Sequence, residues 1–247
     1  MIIPTGSLLL DRLLGGGIRT GLLTDIYGPS GSGKSQLCFS LCARSAKYLK
    51  HKETVMFIDT LGTFRPERVS EIAKHEENKK ILDKIKINRV FSTTEQIKAI
   101  EKIPDIKPLL VIIDSATSLF SHEYTGASRH LVLMKHLHDL SFAAINYDCA
   151  IVITNMVRNV PIVRTISHQP DNNNITNKIN KTDYSYQQRE FMGTSVSIYS
   201  HIKLRLEIVN SENSMIKASL MQPLHADQAY FRIISTGFSD QIRGQCK

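Results

Sequence analysis

Long apolar runs are missing from this sequence. Stretches such as Leu109-Leu110-Val111-Ile112-Ile113 end after a handful of residues, far short of the ~20 needed to span a bilayer. Closely paired cysteines are missing too. Cys38, Cys42, Cys149 and Cys246 form no CxxC pair, and Cys38 and Cys42 share one face of a predicted helix. That spacing favours packed, reduced thiols over zinc ligands or disulfides. Met1-Ile2-Ile3-Pro4-Thr5 carries neither the basic segment nor the apolar core of a secretion signal, so the expected compartment is the cytoplasm. No internal repeat and no proline-rich linker divides the chain.

Acidic charge is the scarce kind. Asp and Glu number 23 against 31 Lys and Arg, a net charge of +8, which suits a polyanionic partner without requiring one. Apolar residues at 42% and charged residues at 22% exclude wholesale disorder. The 247 residues suffice for one α/β domain with a single core, and the reading is one domain over residues 1–247.

Strand-like and helix-like patterns alternate along the first two thirds. Leu22 to Tyr27, Thr54 to Asp59, Ile85 to Phe91, Leu109 to Ile113 and Cys149 to Thr154 read as strands. Between them, Lys34 to Lys50, Pro66 to about Lys80, Thr94 to Ile103 and Ser128 to Tyr147 read as helices. This order predicts βαβ units and a mainly parallel sheet with helices on both faces. The alternation fails at 156–189, which is polar, rich in asparagine and without hydrophobic periodicity. A flexible loop of that length in a compact domain marks function. Ile202 to Val209, Met215 to Met221 and Ala229 to Ile234 follow as antiparallel strands, with Asn210 to Asn213 as a turn.

One motif is complete. Gly28-Pro29-Ser30-Gly31-Ser32-Gly33-Lys34-Ser35 satisfies GxxxxGK[ST] between a predicted strand and a predicted helix. Its glycines let successive backbone N–H groups wrap a phosphate, Lys34 supplies positive charge, and the Ser35 hydroxyl can ligate Mg²⁺. The dipole of the following helix adds to this. Asp114, closing the apolar strand 109–113, is the matching carboxylate for the metal ion. ATP and Mg²⁺ are therefore the expected cofactors. No LSGGQ-like signature occurs, which argues against a transport ATPase.

The wider pattern resembles the core of the RecA/RadA recombinase family. The resemblance is carried by Pro4-Thr5-Gly6-Ser7, Leu10 to Ile18, the phosphate loop with Gln36-Leu37-Cys38, Asp59 to Arg68, Asp114 to Phe120, and Thr154-Asn155-Met156. It is strong over residues 4–160 and weak over 190–240. The run Phe64-Arg65-Pro66-Glu67-Arg68 points to the archaeal and eukaryotic branch. With no N-terminal helical domain ahead of the core, the chain looks like a RadB-type or other RadA paralogue. The resemblance implies a RecA-like P-loop ATPase core of α/β class, with antiparallel C-terminal strands, that acts with DNA in homologous recombination and repair. It places Arg65 and Arg68 beside the adenine. It makes 156–189 the family's second DNA loop and Ser121 to Arg129 the place of the first. A nucleoid location follows if the source is prokaryotic.

The loop 156–189 has a fitting composition. Arg158, Arg164, Lys178, Lys181 and Arg189 stand against Asp171 and Asp183, with Tyr184 and Tyr186 offering ring faces. Such a mixture suits single-stranded DNA through phosphate pairing and base stacking. Two departures from the family matter more than the matches. Leu61 occupies the place of the glutamate that orients the attacking water, and Met156 that of the glutamine that senses the γ-phosphate. No catalytic residue is assigned. Glu67 and Glu123 lie at the wrong places in the motif to substitute. The expectation is an ATP- and DNA-binding paralogue with weak hydrolysis that assists an active RadA-type recombinase and has the capacity to self-associate. A non-hydrolysing scaffold partner and a RecA-fold regulatory ATPase acting on proteins are the alternatives.

Overall fold

The computed structural model describes residues 1–45, 48–49, 53–75, 81–165, 182–212 and 214–240. In chain order the elements are β1 (Ile2–Ile3), α1 (Leu8–Leu13), β2 (Ile18–Arg19), β3 (Leu23–Gly28), α2 (Lys34–Ser45), β4 (Val55–Asp59) and α3 (Pro66–His75). Next come β5 (Ile85–Arg89), α4 (Thr93–Ile100), α5 (Ile103–Ile106), β6 (Leu110–Asp114), α6 (Ser118–Glu123) and α7 (Gly126–Asn146). The chain continues with β7 (Ala150–Thr165), β8 (Thr182–Glu190), α8 (Gly193–Tyr199), β9 (Ile202–Asn210), β10 (Met215–Gln222), β11 (Leu224–Ile234) and β12 (Gly237–Ser239).

The main sheet runs β12-β11-β10-β9-β3-β7-β6-β4-β5, with β8 paired to the far part of β7. Strands β9, β3, β7, β6, β4 and β5 are parallel, whereas β9 to β12 are antiparallel. The α/β, RecA-like reading of the sequence holds. Leu110 and Ile112 face one core cluster, and Val111 and Ile113 face the other. Both faces are covered by helices, which is why the central strands read as unbroken apolar runs instead of alternating ones. Cys38 and Cys42 on α2 are free thiols packed in the first cluster, and Cys149 packs in the second. Cys246 lies outside the described residues. Among the described residues no helix is long and apolar enough to cross a membrane.

Two helices differ from their predicted extent. α2 covers Lys34–Ser45, and Tyr48 and Leu49 are not helical, so it ends before Lys50; α3 covers Pro66–His75, and the rest of its predicted span lies outside the described residues. The predicted helix from Thr94 gives way to α4 and the four-residue α5. The largest difference lies in 156–189. β7 continues to Thr165 and pairs with β8 from Val157↔Glu190 to Thr165↔Thr182, so both ends of the expected loop form an antiparallel hairpin. Residues 166–181, with Lys178 and Lys181, lie outside the described residues.

His138 is exposed on α7, but His136 is buried. Its ring lies 5.3 Å from Phe120, and its Nε2 accepts from the Gln96 amide at 3.1 Å. Burial pushes the imidazole down to about 4, against a smaller upward pull from Asp139. The folded pKa lies below the unfolded value near 6.5, so the unfolded chain takes up the proton first as pH falls. The stabilisation is present above pH ~6.5 and lost by pH ~4, a change of about 3 kcal/mol. Urea unfolding at pH 7 and pH 4.5 checks this. His136→Phe should lose less stability between the two pH values than wild type, and an equal loss would contradict the assignment.

Candidate functional site

A cavity of about 530 Å³ opens at the C-terminal ends of the parallel strands, lined by Ser30, Gly31, Gly33, Lys34 and Ser35 of the phosphate loop. Asp114 at the end of β6, Ser115 after it, and Thr154, Asn155 and Met156 of β7 line it as well. The location follows from topology, since strand ends and helix starts of a parallel sheet meet at one edge. Gly33 has φ +89°, and a Cβ there would stand 2.8 Å from Ile233 Cδ1. The positive φ is what makes the turn need glycine.

Lys34 Nζ donates to the carbonyls of Gly28 and Pro29, each at 2.8 Å. Burial lowers its pKa, and the Asp114 charge pulls the other way. Ser35 Oγ donates to Asp114 Oδ2 at 2.6 Å, and Thr154 Oγ1 donates to Asp114 Oδ1. A buried carboxylate beside a P-loop serine hydroxyl is a donor set for a hard divalent cation. Three further hydroxyls, of Ser32, Thr63 and Ser115, are buried without a hydrogen-bond partner, and the last two line the cavity. Unpaired buried hydroxyls around a Gly-rich cradle fit a nucleotide phosphate group with its Mg²⁺. Thr63 and Ser115 stand within the family-like runs of the sequence, but nothing in the pattern marked their hydroxyls as unpaired.

The two atypical residues stand on the same cavity. Leu61 lines it with half its surface exposed, and Met156, the register partner of Gly28 on the neighbouring strand, lines it beside Val157. Asp59, near Leu61 in the sequence, and Glu123 are engaged elsewhere. Asp59 accepts from the backbone N–H groups of Leu61, Thr63 and Phe64 at 3.3, 3.0 and 3.1 Å, so it shapes the 60–64 loop. Glu123 accepts from the Thr93 backbone N–H at 3.0 Å and from its hydroxyl, holding α4. Neither Glu67 nor Glu123 is among the residues lining the cavity.

Arg65 and Arg68 also lie off the cavity lining. Arg65 is exposed and donates to the Gly62 and Phe64 carbonyls at 3.2 and 3.1 Å. Arg68 binds Gln36 Oε1 at 2.8 Å, Glu71 at 3.0 Å and the carbonyls of Ile234 and Ser235. Its guanidinium thus ties α3 to α2 and to the end of β11.

On the hairpin, Arg158 stands opposite Arg189, and Arg164 opposite Asp183. Tyr184 and Tyr186 are both on β8, the latter exposed. The Arg158 guanidinium lies 3.7 Å from the Phe191 ring centroid, and Arg129, in the first turn of α7, lies 5.8 Å from the same centroid. Two cations from the two expected loop regions therefore meet on one ring. Phe191 was not legible as a platform, because its role depends on the hairpin bringing it beside α7.

Comparison with known proteins agrees with this geometry. A family model described as Rad51 matches residues 1–241. The DNA repair and recombination protein RadA of Cenarchaeum symbiosum is 40% identical over 173 residues, covering 65% of this chain and 44% of the relative. RadA of Metallosphaera sedula is 39% identical over 169 residues, covering 63% and 52%. RadA of Ignicoccus hospitalis is 37% identical over 179 residues, covering 65% and 55%. The chain spans about half the length of the curated relatives it matches.

Proposed function

The chain belongs to the Rad51 family, and on that premise we propose that it is a RadA paralogue that binds ATP–Mg²⁺ and DNA and assists homologous recombination with weak hydrolysis. The observation that carries this is the mixed character of one cavity. Lys34, Ser35 and Asp114 keep the phosphate and metal chemistry, while Leu61 and Met156 put apolar groups on the same cavity. A thioether cannot donate to a phosphate oxygen, and an isobutyl group cannot take a proton. ATP–Mg²⁺, when bound, would supply phosphate charge and a Lewis-acidic cation. The chain's own residues hold it: the phosphate-loop backbone and Lys34 on the phosphates, Ser35 and Asp114 on the metal. Arg65 is exposed and held only by two carbonyls of its own turn, so it is the better placed of the two to reach a base, whereas Arg68 is committed to packing.

DNA binding is assigned to the hairpin and the segment it carries. Arg158 and Arg189 stand directly opposite each other, an arrangement that repels in isolation and is relieved by a phosphate between them. On this reading the protein alone does not drive strand exchange and works beside an active recombinase. Substituting Arg158, Arg164, Lys178 and Lys181 together with glutamine should weaken single-stranded DNA binding. The slope of log K against log[salt] should flatten by up to about 0.7 for each phosphate that the variant no longer neutralises. An unchanged slope would move the DNA site elsewhere.

A further inference from the structure

The foot of the hairpin stands on a buried set of charges that nucleotide binding does not use. Glu190, the last residue of β8, is turned inward. Its Oε2 accepts from Lys203 Nζ at 2.5 Å, and its Oε1 accepts from Asn155 Nδ2 at 3.1 Å. Lys203 also donates to Ser197 Oγ at 2.7 Å and to the Gly193 carbonyl at 3.4 Å. Its side chain is only 4% exposed and that of Glu190 only 11%. One carboxylate thus joins β7, β8, α8 and β9.

Two details show that the local structure is shaped around this carboxylate. Gly193 leaves room for it, since a Cβ there would come within 2.8 Å of Glu190 Oε2 and 3.1 Å of Glu190 Cβ. Lys203 also favours Glu190 over its own sheet neighbour. Asp25 is its register partner on β3, yet the ion pair between them is the longer of the two, at 3.6 Å against 2.5 Å, and neither Asp25 oxygen has a hydrogen bond. Burial and the nearby Glu190 charge raise the Asp25 pKa well above the usual range. The lysine makes its closer contact at the hairpin foot and its longer one to Asp25.

Asn155 extends the set to the nucleotide cavity that it lines. Its Oδ1 accepts from Thr117 Oγ1 at 2.7 Å and from the Met156 N–H at 2.8 Å, and its Nδ2 also donates to the Phe191 carbonyl at 2.8 Å. Both ends of the amide are occupied within the protein, so none of its groups is left to follow a phosphate. We propose that Glu190 is a positioning residue: it clamps the hairpin foot to Asn155 and Lys203, holding the hairpin in its DNA-binding arrangement whether or not nucleotide is bound. The DNA part of this proposal rests on the function proposed above, whereas the clamp itself does not.

Glu190→Gln is the test. The substitution is isosteric and removes the charge, and Lys203 can then turn to Asp25, which keeps the fold paired. Hydrogen exchange of the full-length chain should rise at least about tenfold at the amides of 186–192, with far-UV circular dichroism unchanged. Wild-type exchange at those amides should differ by less than about twofold with and without ATP–Mg²⁺. Single-stranded DNA affinity of the variant should fall by about tenfold. Unchanged exchange in the variant, or a tenfold nucleotide effect on wild-type exchange, overturns the clamp. If wild type binds no DNA, the DNA-binding function fails while the exchange comparison still decides the clamp. Lys203→Gln, which removes the other half of the pair, should loosen the same amides, and protection there equal to wild type overturns the clamp as well.

Discussion

Lys34→Ala should reduce ATP–Mg²⁺ affinity by about two orders of magnitude or more, measured by calorimetric titration. The ammonium sits among the Gly28 and Pro29 carbonyls and is desolvated there. A phosphate oxygen is a better partner for it than two neutral carbonyls, and charge-assisted hydrogen bonds in a partly buried site contribute about 1.5–3 kcal/mol each. Lys34 can make more than one such bond, so the loss exceeds that of a single hydrogen bond. The fold should survive, because Lys34 starts α2 and its side chain is not among the core residues. Binding within threefold of wild type would show that the phosphate loop is not the nucleotide site.

Much of the architecture is legible in the sequence. The central strands β4 and β6 are visible because a doubly covered parallel sheet needs apolar residues on both strand faces, and that leaves unbroken runs such as Leu110 to Ile113. The hairpin is not visible, because it is the opposite case. Arg158, Asn159, Pro161 and Tyr186 are exposed, so no buried face imposes a period-two pattern, and cross-strand hydrogen bonds leave no mark in composition. The parallel pairing of β9 with β3 is also hidden. It depends on where α8 returns the chain, and α8 itself is a seven-residue helix with no periodicity to speak of.

The site divides the same way. Gly28 to Ser35 and Asp114 are legible because phosphate and metal chemistry demand fixed residue types at fixed spacing, and the structure brings Lys34, Ser35 and Asp114 onto one cavity. Arg68 shows the limit of a motif. Its place in the run Phe64 to Arg68 suggests the base, but its partners Gln36, Ile234 and Ser235 come from remote parts of the chain. The Glu190–Lys203 pair also depends on folding to bring two separate strands together.

Turnover should be crippled while binding persists. A general base or water-orienting carboxylate typically contributes about 10²–10⁴-fold to the rate, and Leu61 supplies neither function. Asp59 is the nearest acidic residue in sequence, and its carboxylate is consumed by three backbone N–H groups of its own loop. Met156 presents a thioether to the same cavity, and a thioether cannot donate to a phosphate oxygen. Leu61→Glu should raise the rate, though by less than the full factor while Met156 remains. The most direct measurement is steady-state ATP hydrolysis by the pure protein, with and without single-stranded DNA, at ATP concentrations where binding is saturated. A rate at least about a hundredfold below that of an active recombinase, and nearly unmoved by DNA, is the expected result. DNA-stimulated turnover at ordinary recombinase rates would contradict the account and make this chain a working recombinase in its own right.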